Sequence, residues 1–398
     1  MRVLIISHMY PSTFNETAGI FVHEQVKELV KQGCEIKVIS PVPWTPFPIP
    51  WLNLKWKRYS EIPTRATWDG IEVYYPRFLS FPRNLFLASS GRWMYQGIRA
   101  LVNEIRREFP FVLIHAHTAL PDGYAGAVLA QSLGCPLVIT IHGRDLQYTI
   151  HRSAKCKEAL SYAIRSADRV IVVSQKLKRL AEHFFPSEAK KTVIVHNGVE
   201  PKKIGVVLKR TCREDGDGPR IVSVSNLIRS KGIDLNIYAI HHLRSKHPKI
   251  RYIVVGDGPE SHALRALARR LSIEDRVEFV GRVPHFRALQ HIAIADVFSL
   301  PSWSEGFGVV YLEAMACGKP VIACRGEGPE DFIEHGKTGL LVKPRDVNSL
   351  VEALDFLLSN PEEARAIGDR ARRVVIENYT WEKNAEKTIK LYKEVLKA

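Results

Sequence analysis

Two glutamates in the segment PSWSEGFGVVYLEAMACGKPVIA (301–323) have the type and spacing to bind a polyhydroxylated ligand. Glu305 and Glu313 enclose Gly306 and Gly308, and the apolar runs around them predict a strand, a loop and a helix. Carboxylates suit sugar hydroxyls because charged acceptors bind about twice as strongly as neutral ones. A helix beginning near Gly308 would also offer N–H groups and a positive dipole end to a phosphate.

The elements that must position these residues follow from the hydrophobic pattern. Near-continuous apolar strands alternate with amphipathic helices, which indicates an α/β protein with parallel sheets covered on both faces. We predict two Rossmann-like domains, 1–200 and 220–378, joined by a linker at 201–219 and followed by a helix in 379–398. Ligands bind beyond the carboxyl ends of parallel strands, so we expect the two domains to face an interdomain cleft. The predicted strands are Val3–Ile6, Ile36–Ser40, Ile71–Tyr75, Val112–His117, Leu137–Thr140, Val170–Val173, Val193–His196, Ile221–Ser225, Tyr252–Val255, Val277–Val280, Val297–Leu300 and Val321–Ala323.

The composition is that of an ordinary globular protein, with 45% hydrophobic and 25% charged residues among 398. A chain of this length is expected to form two domains of roughly 200 residues each. The six cysteines are scattered without a C-x2-C pair, which disfavours a zinc site and a disulfide framework and favours a reducing cytoplasm. No run of about 18 apolar residues predicts a membrane-spanning helix.

The formal net charge of +15 is spread along the chain. Nucleic acid is a poor partner because no dense basic run or known binding motif is present. General solubility explains the charge as well as an anionic membrane surface or a phosphorylated substrate does. We therefore predict a cytoplasmic protein, either free or peripheral on the cytoplasmic face of a membrane.

The segment around Glu305 and Glu313 resembles the E-x7-E signature of retaining GT-B glycosyltransferases of the family-four group. In that family the first glutamate binds hydroxyls of the transferred sugar and the second binds the nucleotide ribose. The resemblance implies these roles for Glu305 and Glu313 and a nucleotide-sugar donor as the partner. It also implies donor contacts from the intervening loop, at Gly306, Phe307, Gly308 and Val309.

Two further loops of the second half resemble the same family. VVGDGPE (254–260) and VEFVGRV (277–283) each include the end of a predicted strand and are similar to loops that lie against the nucleotide. This similarity implies donor contacts at Gly256, Arg282 and Val283. GDGP is not the G-x-G-x-x-G fingerprint, so a nicotinamide cofactor is not indicated.

SNLIRSKGIDL (225–235) resembles the family's loop that supplies two cations to the donor diphosphate. Lys231 matches one cation, but Asn226 stands where the other, an arginine, is usual. Asparagine can donate a hydrogen bond and cannot neutralise charge, so we predict that Arg229 compensates. The alternative is that Arg229 is a solvated loop arginine.

In the first half, NETAGIF (15–21) and VITIHGRD (138–145) resemble the remaining family loops. The resemblance implies that the backbone N–H of Gly19 approaches the diphosphate and that His142 lies beside the transferred sugar. Asp145 is expected to fix its loop. A plain helix start and a packed histidine are the simpler interpretations of Gly19 and His142. The amphipathic 379–396 resembles the family's helix that packs back on the first domain.

The mechanism expected from the resemblance is front-face transfer with retained configuration, assisted by His142, Glu305 and Lys231. No D-x-D pair stands in a suitable loop, so we expect no metal and no cofactor, and the cationic loop would stabilise the leaving group. The acceptor would be a glycan or a lipid-linked saccharide. Two other functions stay open: a GT-B epimerase or phosphorylase, and a non-catalytic glycan-binding scaffold.

Two aromatic and basic segments, 41–59 and 82–96, follow the second and third predicted strands of the first half. Tryptophan and tyrosine favour the membrane–water interface, and each nearby cation contributes about 1 kcal/mol on anionic lipid. We therefore predict a membrane-facing surface that includes Trp51 and Trp56. The alternative is that these aromatic side chains pack onto the domain's own core.

Overall fold

The protein, seen in a computed structural model, forms two compact units. Unit 1 comprises Met1–Asn197 together with Trp381–Ala398, and unit 2 comprises Gly198–Thr380. Each has its own sheet and its own helices. The residues that the structure describes are 1–46, 48, 54–81, 85–211 and 218–397.

The described strands of unit 1 form a sheet in the order β10-β9-β8-β7-β1-β2-β5-β4, with a separate parallel pair β3-β6. All neighbours in the sheet are parallel except β4, which pairs antiparallel with β5 at the edge. The five residues of β7 and of β8 are all buried, as expected of central parallel strands. The strands are β1 Arg2–Ile6, β2 Glu35–Ile39, β3 Val42–Pro43, β4 Arg65–Trp68, β5 Ile71–Tyr74, β6 Arg77–Phe78, β7 Leu113–His117, β8 Leu137–Ile141, β9 Arg169–Val172 and β10 Thr192–Ile194.

Most helices of unit 1 bury apolar side chains. In the helix at 20–31, for example, Val22, Val26 and Leu29 are fully buried at helical spacing. The helices of unit 1 up to residue 197 are α1 Ile20–Lys31, α2 Leu54–Ser60, α3 Ser90–Glu108, α4 Tyr124–Leu133, α5 Arg144–Gln147, α6 Ala154–Ser166 and α7 Gln175–Phe184.

Unit 2 contains a parallel sheet in the order β13-β12-β11-β14-β15-β16. Its strands are β11 Arg220–Val224, β12 Arg251–Val255, β13 Val277–Gly281, β14 Val297–Ser299, β15 Val321–Cys324 and β16 Leu340–Val342. Its helices are α8 Pro201–Arg210, α9 Ile233–Leu243, α10 Ser261–Arg270, α11 His285–Ala293, α12 Val309–Ala316, α13 Val347–Ser359 and α14 Pro361–Asn378.

Both sheets reverse their strand order next to the first strand of the unit. In unit 1 the chain runs outward from β1 and then returns to β7 on the other side of β1. In unit 2 it runs outward from β11 and returns to β14. A reversal of this kind leaves a crevice at the carboxyl ends of the two strands, where ligands of open parallel sheets bind.

The last helix, α15 (Trp381–Val395), belongs to unit 1. Gln25 of α1 donates a hydrogen bond to Asn384 Oδ1 at 2.7 Å, and His115 Nδ1 lies 2.5 Å from the Tyr392 hydroxyl. Tyr392 and Thr388 are fully buried. Residues of α15, which follow unit 2 in the sequence, therefore complete the core of unit 1.

Some boundaries differ from those predicted. Residues 201–210 of the predicted linker form α8, which belongs to unit 2 because Ile204 and Val207 are buried in it; residues 212–217 lie outside the described part. Four described strands lie outside the twelve predicted from apolar runs: β3 and β6 have two residues, β16 has three, and the edge strand β4 is only half apolar. No helix among the described residues is long and apolar enough to cross a membrane.

Candidate functional site

Two predicted residues of unit 2 meet at the switch point of its sheet, the place between β11 and β14 where the strand order reverses. Lys231 ends the short 3-10 helix Arg229–Lys231 after β11, and Glu305 lies in the loop after β14. Lys231 Nζ donates a hydrogen bond to Glu305 Oε2 at 2.6 Å, and the two side chains are only 18% and 15% exposed. A cation and a carboxylate thus lie side by side where a ligand is expected.

The loop that carries Glu305 is fixed from both sides. Glu327 Oε2 accepts a hydrogen bond from the Glu305 main-chain N at 2.6 Å, and Gly328 N donates to Glu305 O at 3.2 Å. Gly308, at φ 89°, immediately precedes α12, and a Cβ there would lie 2.6 Å from the Tyr311 ring. Only glycine allows this turn, which brings the first N–H groups of α12 close to Glu305.

The other residues of this loop are mostly buried in unit 2. Phe307 packs edge-on against Phe332, with ring centroids 5.2 Å apart, and Gly306 is buried beside it. Val309 is the first residue of α12 and is partly exposed. Phe307 therefore anchors the loop, while Val309 remains accessible.

Glu313 has a basic partner that the sequence did not reveal. His285 Nε2 lies 2.6 Å from Glu313 Oε1, and the Glu313 side chain is 15% exposed. His285 is the first residue of α11 and comes two residues after Val283. The imidazole therefore connects the predicted ribose carboxylate to the predicted base-binding loop.

Three loops of unit 2 that were predicted to contact the donor lie at neighbouring strand ends. Asn226 follows β11, Gly256 follows β12, and Arg282 and Val283 follow β13. Gly256 N donates to Gly281 O at 2.8 Å, which ties the second loop to the third. Asn226 and Arg282 are exposed and Val283 is partly exposed.

Arg229 lies in a different environment from Lys231. It lines a recess of about 440 Å³ at the surface of α9 and α10, together with Asp234 and Glu260. Burial raises the pKa of Asp234, and the positive charge of Arg229 opposes that rise. Arg229 and the Lys231–Glu305 pair therefore have different neighbours, and the diphosphate role of Arg229 stays a prediction.

In unit 1, Gly19 immediately precedes α1 with φ 59°. A Cβ at this position would lie 2.0 Å from the carbonyl oxygen of Met9, so the loop after β1 packs against it without room for a side chain. The start of α1 is thereby held close to the carboxyl end of β1.

His142, which follows β8, stacks on His117 at the end of β7. The rings are nearly parallel, at 10°, and His117 Nδ1 lies 3.1 Å from His142 Nε2. Burial lowers the pKa of His142 to about 3 and holds the pKa of His117 well below its usual value, so both rings are neutral near pH 7. Within the described residues, His142 Nδ1 and His117 Nε2 are buried and make no hydrogen bond. The pair therefore carries one unfilled donor and one unfilled acceptor.

Asp145 connects the loops after β7 and β8. Its buried carboxylate accepts a hydrogen bond from Ala119 N at 2.9 Å. Burial raises the pKa of Asp145 to about 6, although the hydrogen bonds from the backbone oppose the shift. Among the residues the structure describes, no three His, Cys, Asp or Glu side chains are grouped to hold a metal ion.

Comparison with known proteins matches both units to glycosyltransferases. The model described as Glycosyltransferase Family 4 matches residues 18–203, and that described as Glycosyl transferases group 1 matches residues 207–374. TuaC of Bacillus subtilis, a glycosyltransferase named for teichuronic acid biosynthesis, is 32% identical over 367 residues, which cover 89% of this chain and 88% of TuaC. The chain belongs to glycosyltransferase family 4.

A second relative of this family-4 glycosyltransferase is the GDP-mannose-dependent alpha-(1-6)-phosphatidylinositol monomannoside mannosyltransferase of Mycolicibacterium smegmatis. It is 29% identical over 338 residues, which cover 82% of this chain and 85% of the relative. Among solved structures, the sucrose-phosphate synthase of Thermosynechococcus elongatus superposes with a TM-score of 0.81 at 23% identity, covering 99% of both chains. The predicted GT-B fold class and family are thereby confirmed.

Four side chains of this family-4 chain that take part in these contacts were not predicted from the sequence: His285, His117, His8 and Asp122. His117 ends β7, next to the strand that leads to His142, so its position at a strand end was a usable signal. His285 and Asp122 carried no such signal, because each finds its partner only through the packing of distant segments.

Proposed function

We propose that this family-4 glycosyltransferase moves a hexosyl group from a nucleoside-diphosphate sugar to a glycan or a lipid-linked saccharide, with retained anomeric configuration and without a metal ion. The observation that carries the proposal is the Lys231–Glu305 pair at the switch point of unit 2, next to the glycine-led start of α12. The name of the mannosyltransferase relative, which is GDP-mannose-dependent, supports a nucleotide-sugar donor.

The donor-side roles follow from charge and position. Glu305 would accept hydrogen bonds from hydroxyls of the transferred sugar, and Glu313 would accept those of the ribose. His285, 2.6 Å from Glu313, would hold that carboxylate in place. Gly19 and His142 belong to unit 1, and their contacts with the donor stay predictions.

The leaving group requires positive charge nearby because a diphosphate oxygen gains negative charge as its bond to the anomeric carbon breaks. Lys231 and the first N–H groups of α12 would supply that charge. The new bond would form between the anomeric carbon and the acceptor oxygen on the same face, and the acceptor's proton would pass to the leaving phosphate. Retention is the stereochemical consequence of this same-face attack.

A panel of UDP-, GDP- and ADP-sugars tests the proposal. We expect one of them to bind, and nucleoside diphosphate to be released only when an acceptor is present, which separates transfer from epimerisation. The anomeric configuration of the product, measured by proton coupling, should match that of the donor, and EDTA should leave the rate unchanged. Failure of every nucleotide sugar to bind contradicts the donor proposal, inversion contradicts retention, and loss of activity in EDTA contradicts metal independence.

A lipid-linked acceptor on the cytoplasmic face of an anionic membrane is supported by the exposed apolar side chains of unit 1. Leu54 is 78% exposed, Phe86 65% and Trp44 52%, and α2 carries Lys57 and Arg58 in its last turn. Apolar and cationic groups on one segment suit an interface with anionic lipid. The predicted Trp51 lies outside the described residues, and Trp56 is only partly exposed.

Sedimentation with vesicles tests this membrane surface. The protein should pellet with phosphatidylglycerol-containing vesicles and stay in the supernatant with phosphatidylcholine alone. The double variant Leu54→Ser, Phe86→Ser should pellet less, whereas Phe356→Ser, a control at a 43% exposed residue of unit 2, should behave like the unaltered chain. Equal recovery with both lipids would contradict a membrane surface.

A further inference from the structure

Unit 1 contains a recess of its own, of about 430 Å³, next to the carboxyl end of β1. This volume lies in the range of roughly 300–1,000 Å³ that small-molecule sites occupy. It is separate from the His117–His142 pair, neither of which lines it. We call it the aromatic pocket, since its walls include Phe14, Trp56, Tyr59, Phe78 and Phe81.

The aromatic walls pack against one another and are held in place. The rings of Phe14 and Tyr59 lie 4.6 Å apart, and those of Trp56 and Tyr59 lie 6.0 Å apart. Flat rings of this kind offer an apolar face to the C–H groups of a sugar ring while leaving its hydroxyls free for polar partners. Ser12 and Asn15 also line the pocket and provide such partners.

His8 is the basic side chain of this pocket, and a buried carboxylate fixes its orientation. Asp122 is fully buried, and its carboxylate accepts hydrogen bonds from His8 Nδ1 at 2.8 Å, from His8 N at 3.1 Å and from the Thr118 hydroxyl at 3.1 Å. Because a carboxylate only accepts, Nδ1 carries the proton and Nε2 of the neutral ring has the free lone pair. The His8 side chain is 34% exposed and lines the pocket.

The electrostatics of His8 differ from those of the neighbouring histidines. Burial and the positive charge of Arg144 lower the pKa of His8, whereas Asp122 and Asp145 raise it. The effect of the two carboxylates is larger, so the pKa of His8 is above its usual value. The pKa values of His117 and His142 are instead far below it. Of these three imidazoles, His8 is thus the most basic.

We propose that the aromatic pocket binds a sugar ring of the acceptor, and that His8 Nε2 accepts a hydrogen bond from one hydroxyl of that ring while Asp122 acts as the positioning residue. The ligand is called an acceptor because this inference rests on the proposed glycosyl transfer. Phe81 connects the pocket to the exposed apolar surface of unit 1, since its ring lies 5.3 Å from that of Phe86. A saccharide seated in the pocket would therefore lie beside the surface proposed to meet lipid.

The test is saturation-transfer NMR on the full chain with methyl α-D-glucoside, methyl α-D-mannoside and methyl N-acetyl-α-D-glucosaminide as probes. At least one glycoside should receive saturation, and His8→Gln should weaken its affinity about 2- to 10-fold, as expected for one lost hydrogen bond. Trp56→Ala should weaken it as well, and His183→Gln, at an exposed histidine of the same unit, should change nothing. Absence of saturation transfer to all three probes, or unchanged affinity in both pocket variants, would overturn the proposal.

Nucleotide-sugar binding by the same variants keeps this result apart from the proposed function. We expect His8→Gln and Trp56→Ala to bind the donor as the unaltered chain does, because neither residue is among those predicted to contact the donor. Donor binding with no glycoside effect overturns the pocket alone. Failure of the unaltered chain to bind any donor overturns the proposed transfer.

The positioning role of Asp122 has its own readout. In a proton NMR titration of His8, Asp122→Asn should move the midpoint to lower pH, because the charge that raises the pKa is removed while Asp145 and Arg144 remain. An unchanged midpoint would contradict the role of Asp122, and the His8→Gln result does not depend on whether Asp122→Asn folds.

Discussion

The predicted ligand-binding side chains of the two units are held by opposite means. In unit 2, Glu305 and Glu313 each have a basic partner at 2.6 Å, Lys231 and His285. In unit 1, the partly buried His142 stacks on another neutral imidazole, His117, and desolvation lowers the pKa of His142 to about 3. Unit 2 thus keeps charged groups ready for a charged ligand, whereas unit 1 presents neutral donors and acceptors that suit sugar hydroxyls.

The largest expected effect of this difference is on stability at acid pH. The folded-state pKa values of His115 and His142 are about 3, against about 6.5 when unfolded, so the folded state binds fewer protons and unit 1 loses stability as pH falls from 6.5 towards 3. Asp145, with a pKa of about 6, acts in the opposite direction because its protonation favours the folded state. The pKa values of the two histidines are shifted further than that of Asp145, so their effect on stability is the larger one.

Hydrogen exchange resolved by region measures this difference. We expect peptides of unit 1 to lose protection at a higher pH than those of unit 2 during acidification from pH 6.5, and His115→Gln to reduce that pH dependence. In unit 2, burial also lowers the pKa of His291, but that side chain is partly exposed. Simultaneous loss of protection in both units would contradict the comparison.

The next largest effect is expected at Glu305. Glu305→Gln keeps the shape but removes charge-assisted hydrogen bonds worth about 1.5–3 kcal/mol each, so turnover should fall tenfold or more. Glu352→Gln, at an exposed glutamate of α13, is the matched control and should retain full turnover. Unchanged kinetics in Glu305→Gln with the true donor would remove Glu305 from the proposed site.

A smaller effect, on nucleoside-diphosphate affinity, is expected from substitution of His285, which acts through Glu313. His285→Ala should weaken nucleoside-diphosphate binding about 2- to 10-fold, the effect of one hydrogen bond, and leave the saturated rate nearly unchanged. Glu313→Gln should weaken binding to at least the same extent, and the double variant should show less than the sum of the two losses. Additive losses would show that His285 does not act through Glu313.

The smallest effect is expected at Arg229. If this arginine supplies the charge missing at Asn226, Arg229→Gln should weaken nucleoside-diphosphate binding more than nucleoside binding. Because its side chain lies in the recess beside Asp234, we expect a loss well below that of Lys231→Gln. Titration calorimetry with both ligands measures the ratio, and equal affinities for the unaltered chain and Arg229→Gln would assign Arg229 to the surface.

The sequence allowed much of the fold and part of the unit 2 site to be predicted. All twelve predicted strands are present, because parallel strands buried on both faces leave continuous apolar runs. Lys231 and Glu305 could be expected to meet, since each follows a strand at the point where the sheet reverses.

Other features depend on packing that one sequence does not reveal. His8 and Asp122 are 114 residues apart and are joined only because the loops after β1 and β7 meet. The Glu313–His285 contact arises because α11 and α12 pack together, and hydrophobic periodicity does not specify which polar side chains meet there. The short strands β3 and β6 are too brief to leave any periodic signal.

The return of α15 to unit 1 has a consequence for the order in which the protein matures on the ribosome. Every residue of unit 2 is synthesised before the helix that supplies Asn384 and Tyr392 to unit 1. At about 5–20 residues per second, the nascent first unit waits roughly 10–40 s for these partners. During that interval Gln25 and His115 have no partner from α15, so unit 1 can complete its core only after unit 2 has been synthesised.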